Sequence, residues 1–224
     1  MVQRTNASQV HNVGAPLAYA ALRSYRSVGV GAAGPSAPRP AVALFGSPGP
    51  QKLSGFSGAE DTLKSMARAA LGPRGEKSFK VRQMAEWIVR DVEPKDYLGE
   101  ILCVRNFFVQ RSPWRENTPV IRYTNDPRHV ELVKDPERLV EEIAQHGTAL
   151  ADCDEYAALG ATLLLQLGRE CEYVALGFGQ QLTHVGLRCQ EPKSHRWIWL
   201  DSVAGPRERE AAATASMKLF WSLD

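Results

Sequence analysis

The stretch from Asp152 to Gly168 constrains the fold of this chain more than any other. Asp152-Cys153-Asp154-Glu155 opens a strongly apolar run through Tyr156, Ala157, Leu159, Leu163, Leu164 and Leu167, which closes at Gly168. An aspartate that can accept from the backbone three residues on, with a glutamate there to reach back, forms a capping box. A helix with both ends marked is therefore expected, and Cys153 falls in its first turn. Three strand-like runs follow at 171–178, 183–190 and 196–202, with Glu191-Pro192-Lys193-Ser194 as a four-residue hairpin loop between the last two.

That order places chemistry-bearing side chains together. A thiol attacks as thiolate, and an ordinary pKa near about 8.5 leaves little thiolate at neutral pH. The unpaired N–H groups and dipole of a helix N-terminus favour a negative sulfur. The flanking Asp152 and Asp154 oppose it, so Cys153 needs a histidine. With residues 191–194 as the loop, Gln190 pairs with His195, and six residues back along each strand His184 pairs with Asp201. Directly opposed residues share a sheet face with β-carbons about 5 Å apart. A carboxylate there can accept from one imidazole nitrogen and leave the other for the thiol. Cys153 is then the nucleophile, His184 its base and Asp201 the group that orients the base. A one-residue slip in register would separate the partners onto opposite faces. Each residue also has an ordinary reading: a small buried cysteine, a hydrogen-bonded structural histidine, an aspartate capping a turn. The combination of helix-start Cys, strand His and next-strand Asp favours the triad.

Upstream, helical spacing is read at 61–71 (Leu63, Met66, Ala67, Ala70, stopped by Gly72-Pro73), at 79–92 (Val81, Met84, Ala85, Ile88, Val89) and at 97–109 (Ile101, Val104, Phe108, Val109). Val120-Ile121-Arg122-Tyr123 is strand-like and ends at the turn Asn125-Asp126-Pro127. Pro136 opens a short helix over 137–145 that stops at Gly147. Residues 1–58 are rich in Gly, Pro, Ala and Ser, and hold Arg4, Arg23, Arg26, Arg39 and Lys52 with no acid before Glu60. Too few large apolar groups occur there to offset the entropy of ordering. The chain thus divides into an extended basic arm at 1–58, a domain at 59–210 and a C-terminal tail at 211–224.

Composition narrows the function classes. The 44% hydrophobic and 23% charged residues are ordinary for a soluble domain, and a net charge of +2 over 224 residues selects no partner. Five arm charges without interleaved aromatics support nucleic-acid binding poorly. No run is apolar enough to cross a bilayer, since the best candidate, 13–33, is broken by Arg23 and Arg26. Cys103, Cys153, Cys171 and Cys189 are too scattered for a disulfide framework and, lacking a C-x-x-C, for zinc. No Asp-x-Asp-x-Asp-Gly loop offers calcium a site. No metal or cofactor is expected.

Residues 147–201 resemble the transglutaminase-like branch of the papain-fold cysteine enzymes. The matching pieces are Ala151-Asp152-Cys153-Asp154-Glu155-Tyr156-Ala157, the run 163–168, Leu182-Thr183-His184-Val185 and Trp199-Leu200-Asp201. Ala151 stands where the family commonly has glycine. The segment Val120 to Tyr123, with Asn125-Asp126-Pro127 and Asp135-Pro136, further resembles the version found in tailed phages and prophages. The resemblance implies an α+β, papain-like core in which the nucleophile helix packs on an antiparallel sheet bearing His184 and Asp201. It also implies chemistry at amides through a thioester, and an oxyanion-hole side chain upstream, for which Trp114 and Gln145 are the residues to consider. Two readings follow. One is a peptidase or amidase, with transamidation less favoured, acting on a protein or peptide. It would be made in the bacterial cytoplasm and carried in a virion, its arm against other particle subunits. The other is a structural or accessory tail or capsid protein that uses the fold as a docking module and does not need Cys153.

Overall fold

A computed structural model of the protein describes residues 51–53, 59–109, 118–126, 131–177, 182–201 and 215–223. Most of the expected arm, residues 1–50 and 54–58, and residues 211–214 and 224 of the expected tail lie outside the described residues. The architecture is mixed α and β. Its helices are α1 Ala59–Leu71, α2 Phe79–Val89, α3 Tyr97–Val109, α4 Pro136–His146 and α5 Cys153–Gln166. The described strands are β1 Gln51–Leu53, β2 Ile121–Tyr123, β3 Glu131–Val133, β4 Ala149–Ala151, β5 Cys171–Gly177, β6 Leu182–Gln190, β7 Trp197–Leu200 and β8 Met217–Ser222.

Local chemistry sets the helix ends. The Ser78 hydroxyl accepts from the Val81 N–H to start α2, and Pro136 occupies the first turn of α4, where its missing N–H costs nothing. Gly147 (φ 73) and Gly168 (φ 72) follow α4 and α5 in left-handed conformation. An ionic clamp ties the start of α2 to α4. Ser78 Oγ donates to Glu137 Oε2 at 2.7 Å, and Lys80 Nζ lies 2.6 Å from the buried Glu141.

Helix α5 is the hub. Every residue from Asp154 to Leu164 is buried, and the helix contacts β4, β5, β6 and each of the other four helices. Phe108 of α3 packs on Tyr156 with ring centroids 4.6 Å apart. A Cβ added at Gly160 would stand 3.1 Å from Leu187 Cδ2 and 3.5 Å from a Phe108 ring carbon, so α5 and β6 approach through the missing side chain.

Four strands form an antiparallel sheet in the order β7-β6-β5-β8. Cys171, Tyr173 and Ala175 of β5 oppose Cys189, Leu187 and Val185 of β6, and all six belong to the core that surrounds α5. His184, Gly186 and Arg188 alternate with them toward the other face. Two shorter pairs accompany this sheet, β1–β3 antiparallel and β2–β4 parallel.

Two expectations are corrected. The hairpin closes on Glu191 and Arg196, whose N–H and C=O bond at 2.9 Å, and not on Gln190 and His195. The loop is still four residues long, but it is Pro192 to His195. Its last residue takes a left-handed turn (His195 φ 55), while the Glu191 carboxylate accepts from the Lys193 and Ser194 N–H groups. Gln190 therefore pairs with Trp197 and Leu187 with Leu200, a shift of two residues, so His184 does not face Asp201 directly. The second correction concerns the tail, since Met217–Ser222 is the sheet strand beside β5 and part of the domain.

The close approach at Gly160 makes a stability prediction. Gly160→Val drives a Cβ and its two methyl groups into the space held by Leu187 and Phe108, and overpacking of this kind costs about 1–3 kcal/mol. The urea midpoint of the variant should fall with its m-value unchanged; an unchanged midpoint would contradict the packing of α5 on β6.

Candidate active site

The nucleophile position is fixed by the cap expected from sequence. Asp152 Oδ1 accepts from the N–H groups of Asp154 (3.2 Å) and Glu155 (3.5 Å), and Glu155 Oε2 accepts from the Asp152 N–H at 3.2 Å. The other Glu155 oxygen accepts from the Lys134 N–H at 3.3 Å, which joins the cap to the end of β3. Burial pushes the Glu155 carboxyl up to about 7; Lys134 opposes the shift and the Asp152 charge adds to it. Cys153 is left as a free, partly exposed thiol at the head of α5.

His184 and Asp201 meet despite the corrected register. A two-residue shift preserves the sheet face, because side chains alternate with a period of two. The two now lie on a diagonal, and His184 Nε2 sits 2.9 Å from each Asp201 oxygen. Gly186 makes room for this. A Cβ there would stand 2.6 Å from Trp199 Cζ2 and 3.4 Å from Asp201 Oδ2. With Nε2 held by the carboxylate, Nδ1 is the nitrogen left for a sulfur, and Cys153 is near enough to act on the imidazole. The structure thus brings Cys153 near a His184–Asp201 pair. Burial would lower the His184 pKa, but the hydrogen bonds and charges of Asp201 and Cys153 outweigh it and push the imidazole up to about 10.

One neighbour carried no role in the sequence reading. Tyr123, at the end of β2, lies close enough to Cys153, Asp152 and Asp201 for their charges to act on its phenol. Its strand runs parallel to β4, with Tyr123 opposite Ala151 and the Thr124 N–H donating to the Ala151 carbonyl at 3.0 Å. The signal available in sequence was the strand-like run ending at Tyr123; its parallel pairing to the segment before Cys153 was not visible. Of the two residues considered for an oxyanion hole, Trp114 lies outside the described residues and Gln145 is exposed in the last turn of α4. Two buried polar atoms near the site, Asp154 Oδ2 and Trp199 Nε1, have no hydrogen-bond partner among the described residues. Among the described residues no three His, Cys, Asp or Glu side chains converge as metal ligands, and no helix is long and apolar enough to cross a membrane. A groove of about 390 Å³ along α1, lined by Lys64, Arg68 and Trp221 among others, shares no residue with this constellation.

No family model and no curated protein matches the chain. Among solved structures, the crystal structure of a candidate protease from Parabacteroides distasonis is similar over 72% of this chain, with 12% sequence identity and a TM-score of 0.48. The chain spans 29% of the length of that protein. A likeness this distant assigns no residue a role, and the chemistry is argued below from the geometry of the chain itself.

The cause of the His184 shift makes a second prediction. Asp201→Asn removes the charge and leaves burial opposed by Cys153 alone, so the imidazole should titrate well below about 10. The folded wild type holds this proton between pH 6.5 and 10, where the unfolded chain releases it. The pair's contribution to stability is therefore complete below pH 6.5 and drains as pH rises to 10, a decline that should be smaller in the variant. Imidazole C–H shifts followed by NMR against pH would show the change, and an unmoved midpoint would refute Asp201 as its source.

Proposed function

We propose that the protein is a thiol enzyme of transglutaminase-like type, acting on amide bonds as a peptidase or amidase. The observation that carries this reading is the group of side chains at the head of α5. A partly exposed thiol lies near an imidazole whose Nε2 is held by a buried carboxylate. The nucleophile helix packed on an antiparallel sheet bearing His184 and Asp201 supports the papain-like form of the core.

The chemistry follows from these positions. The Cys153 sulfur attacks the carbonyl carbon of an amide, and the C=O π pair moves onto oxygen. As the tetrahedral intermediate collapses, the C–N bond breaks and the His184 imidazolium gives its proton to the departing amine. A thioester on Cys153 remains. Neutral His184 then takes a proton from water, whose oxygen attacks the thioester carbon; the acid leaves and the thiolate–imidazolium pair is restored. Asp201 holds the Nε2–H throughout, which fixes the tautomer and balances the imidazolium. Proton transfer of this kind contributes roughly 10²–10⁴-fold in rate. An amine in place of water would give transamidation, the less favoured outcome because nothing described near Cys153 selects an amine over water.

Cys103 is the natural internal control for the thiol, because it is also partly exposed while burial and nearby acids push its pKa up. Iodoacetamide should label Cys153 at least about 10²-fold faster than Cys103, and His184→Ala should remove most of that advantage. Peptide mapping by mass spectrometry reads both, and equal labelling of the two thiols would sink the enzyme reading.

The phage-type resemblance of residues 120–136 supports placing this enzyme in a particle, with the part of the arm before β1 against other subunits. Cys153→Ser keeps the size and the cap, so particles should assemble normally with the variant chain but lose infectivity. Normal particles with normal infectivity would favour the docking-module reading, in which the thiol is dispensable.

A further inference from the structure

We infer that Tyr123 is a catalytic residue of the proposed reaction, its phenol O–H stabilising the oxyanion formed when Cys153 attacks a carbonyl. The inference rests on the thiol-enzyme reading and names the group that this reading leaves unassigned.

The placement argues for it. β2 and β4 run parallel in register, and β4 leads through Asp152 directly into Cys153, so the strand pair fixes the tyrosine beside the nucleophile. The phenol lies near Cys153, and half of the residue (51%) is open to solvent. It therefore stands on the side from which a substrate reaches the sulfur. When the S–C bond forms, the carbonyl oxygen becomes an anion one bond from the carbon that sulfur now holds. A donor already standing beside the sulfur is placed to reach that oxygen.

Two further features fit. The cap uses the N–H groups of Asp154 and Glu155 and leaves that of Cys153 outside it, a further donor on the residue that carries the sulfur. Burial first, then the charges of Cys153 and Asp152, push the Tyr123 phenol up to about 12, which keeps it a neutral donor across the working range. Donors aimed at developing negative charge commonly supply the largest single catalytic term.

The test separates two reactions of the same sulfur. Iodoacetamide alkylates by displacement at saturated carbon and forms no oxyanion, whereas p-nitrophenyl acetate acylates through one and releases a phenolate that needs no proton. In Tyr123→Phe, which keeps the ring and the strand, acetylation of Cys153 should fall about 10²-fold while alkylation stays equal or rises. Mass spectrometry counts the acetyl group, and circular dichroism checks that the variant is folded. Unchanged acetylation in Tyr123→Phe would overturn the assignment alone. An equal loss of both reactions would show that the phenol merely positions the thiol, and would overturn it as well. A wild type whose Cys153 alkylates rapidly but never acetylates would instead overturn the thiol-enzyme reading, and the role of Tyr123 with it.

Discussion

A helix buried on every side is the constraint around which the rest of this protein is arranged. α5 has no polar stripe between Asp154 and Leu164, so water can cover none of its faces. The sheet lies against it through Leu187 at Gly160, and α3 covers it through Phe108 on Tyr156. Burial of this completeness creates a problem at the N-terminus, where unpaired N–H groups lose access to solvent. Asp152 and Glu155 solve it within the chain, and a cap of this kind is worth about 1 kcal/mol. Cys153 is the first-turn residue left partly exposed, while Asp154 and Glu155 are sealed. The same requirement that buries the helix therefore leaves its thiol at the opening.

Features encoded by local chemistry were legible in the sequence. The box of Asp152 and Glu155, the stops at Gly147 and Gly168, and the helices read from the spacing of Leu63, Val81 and Ile101 all depend on neighbours within one turn. The hairpin was harder, because its register depends on where a loop closes. Glu191 reads as a loop residue by composition, but its backbone pairs with Arg196, and its carboxylate caps the turn from inside the ladder. The error was an even number of residues, and the two-residue period of a strand forgives even errors. His184 and Asp201 stayed on one face for that reason alone.

Pairings between distant short strands were not legible. β1, β2, β3 and β4 have three residues each, too few for alternation to declare itself. β8 does alternate, with Leu219 and Trp221 packed on the core and Lys218, Phe220 and Ser222 exposed. Nothing local ties it to β5 across some forty residues, so its sequence alone does not set it apart from a tail. Tyr123 belongs to the same class of feature. Its place beside Cys153 comes from a parallel pairing that encloses β3 and α4, and no local spacing can report that.

The electrostatics of the site run in one direction. Glu155 holds its proton up to about 7 where a free glutamate releases it at 4.5, and His184 holds one up to about 10 instead of 6.5. In both cases the folded chain binds more protons than the unfolded chain, so the contribution of these two groups to stability falls as pH rises between 4.5 and 10. The causes differ. Burial acts on Glu155, whereas the neighbouring Asp201 and Cys153 act on His184 against burial. That difference matters for chemistry. A proton held by burial stays with the cap, where no reacting group needs it. A proton held by two charged neighbours weakens its hold once the sulfur is consumed in a bond to carbon. It becomes easier to give up at the moment when a departing amine must receive it.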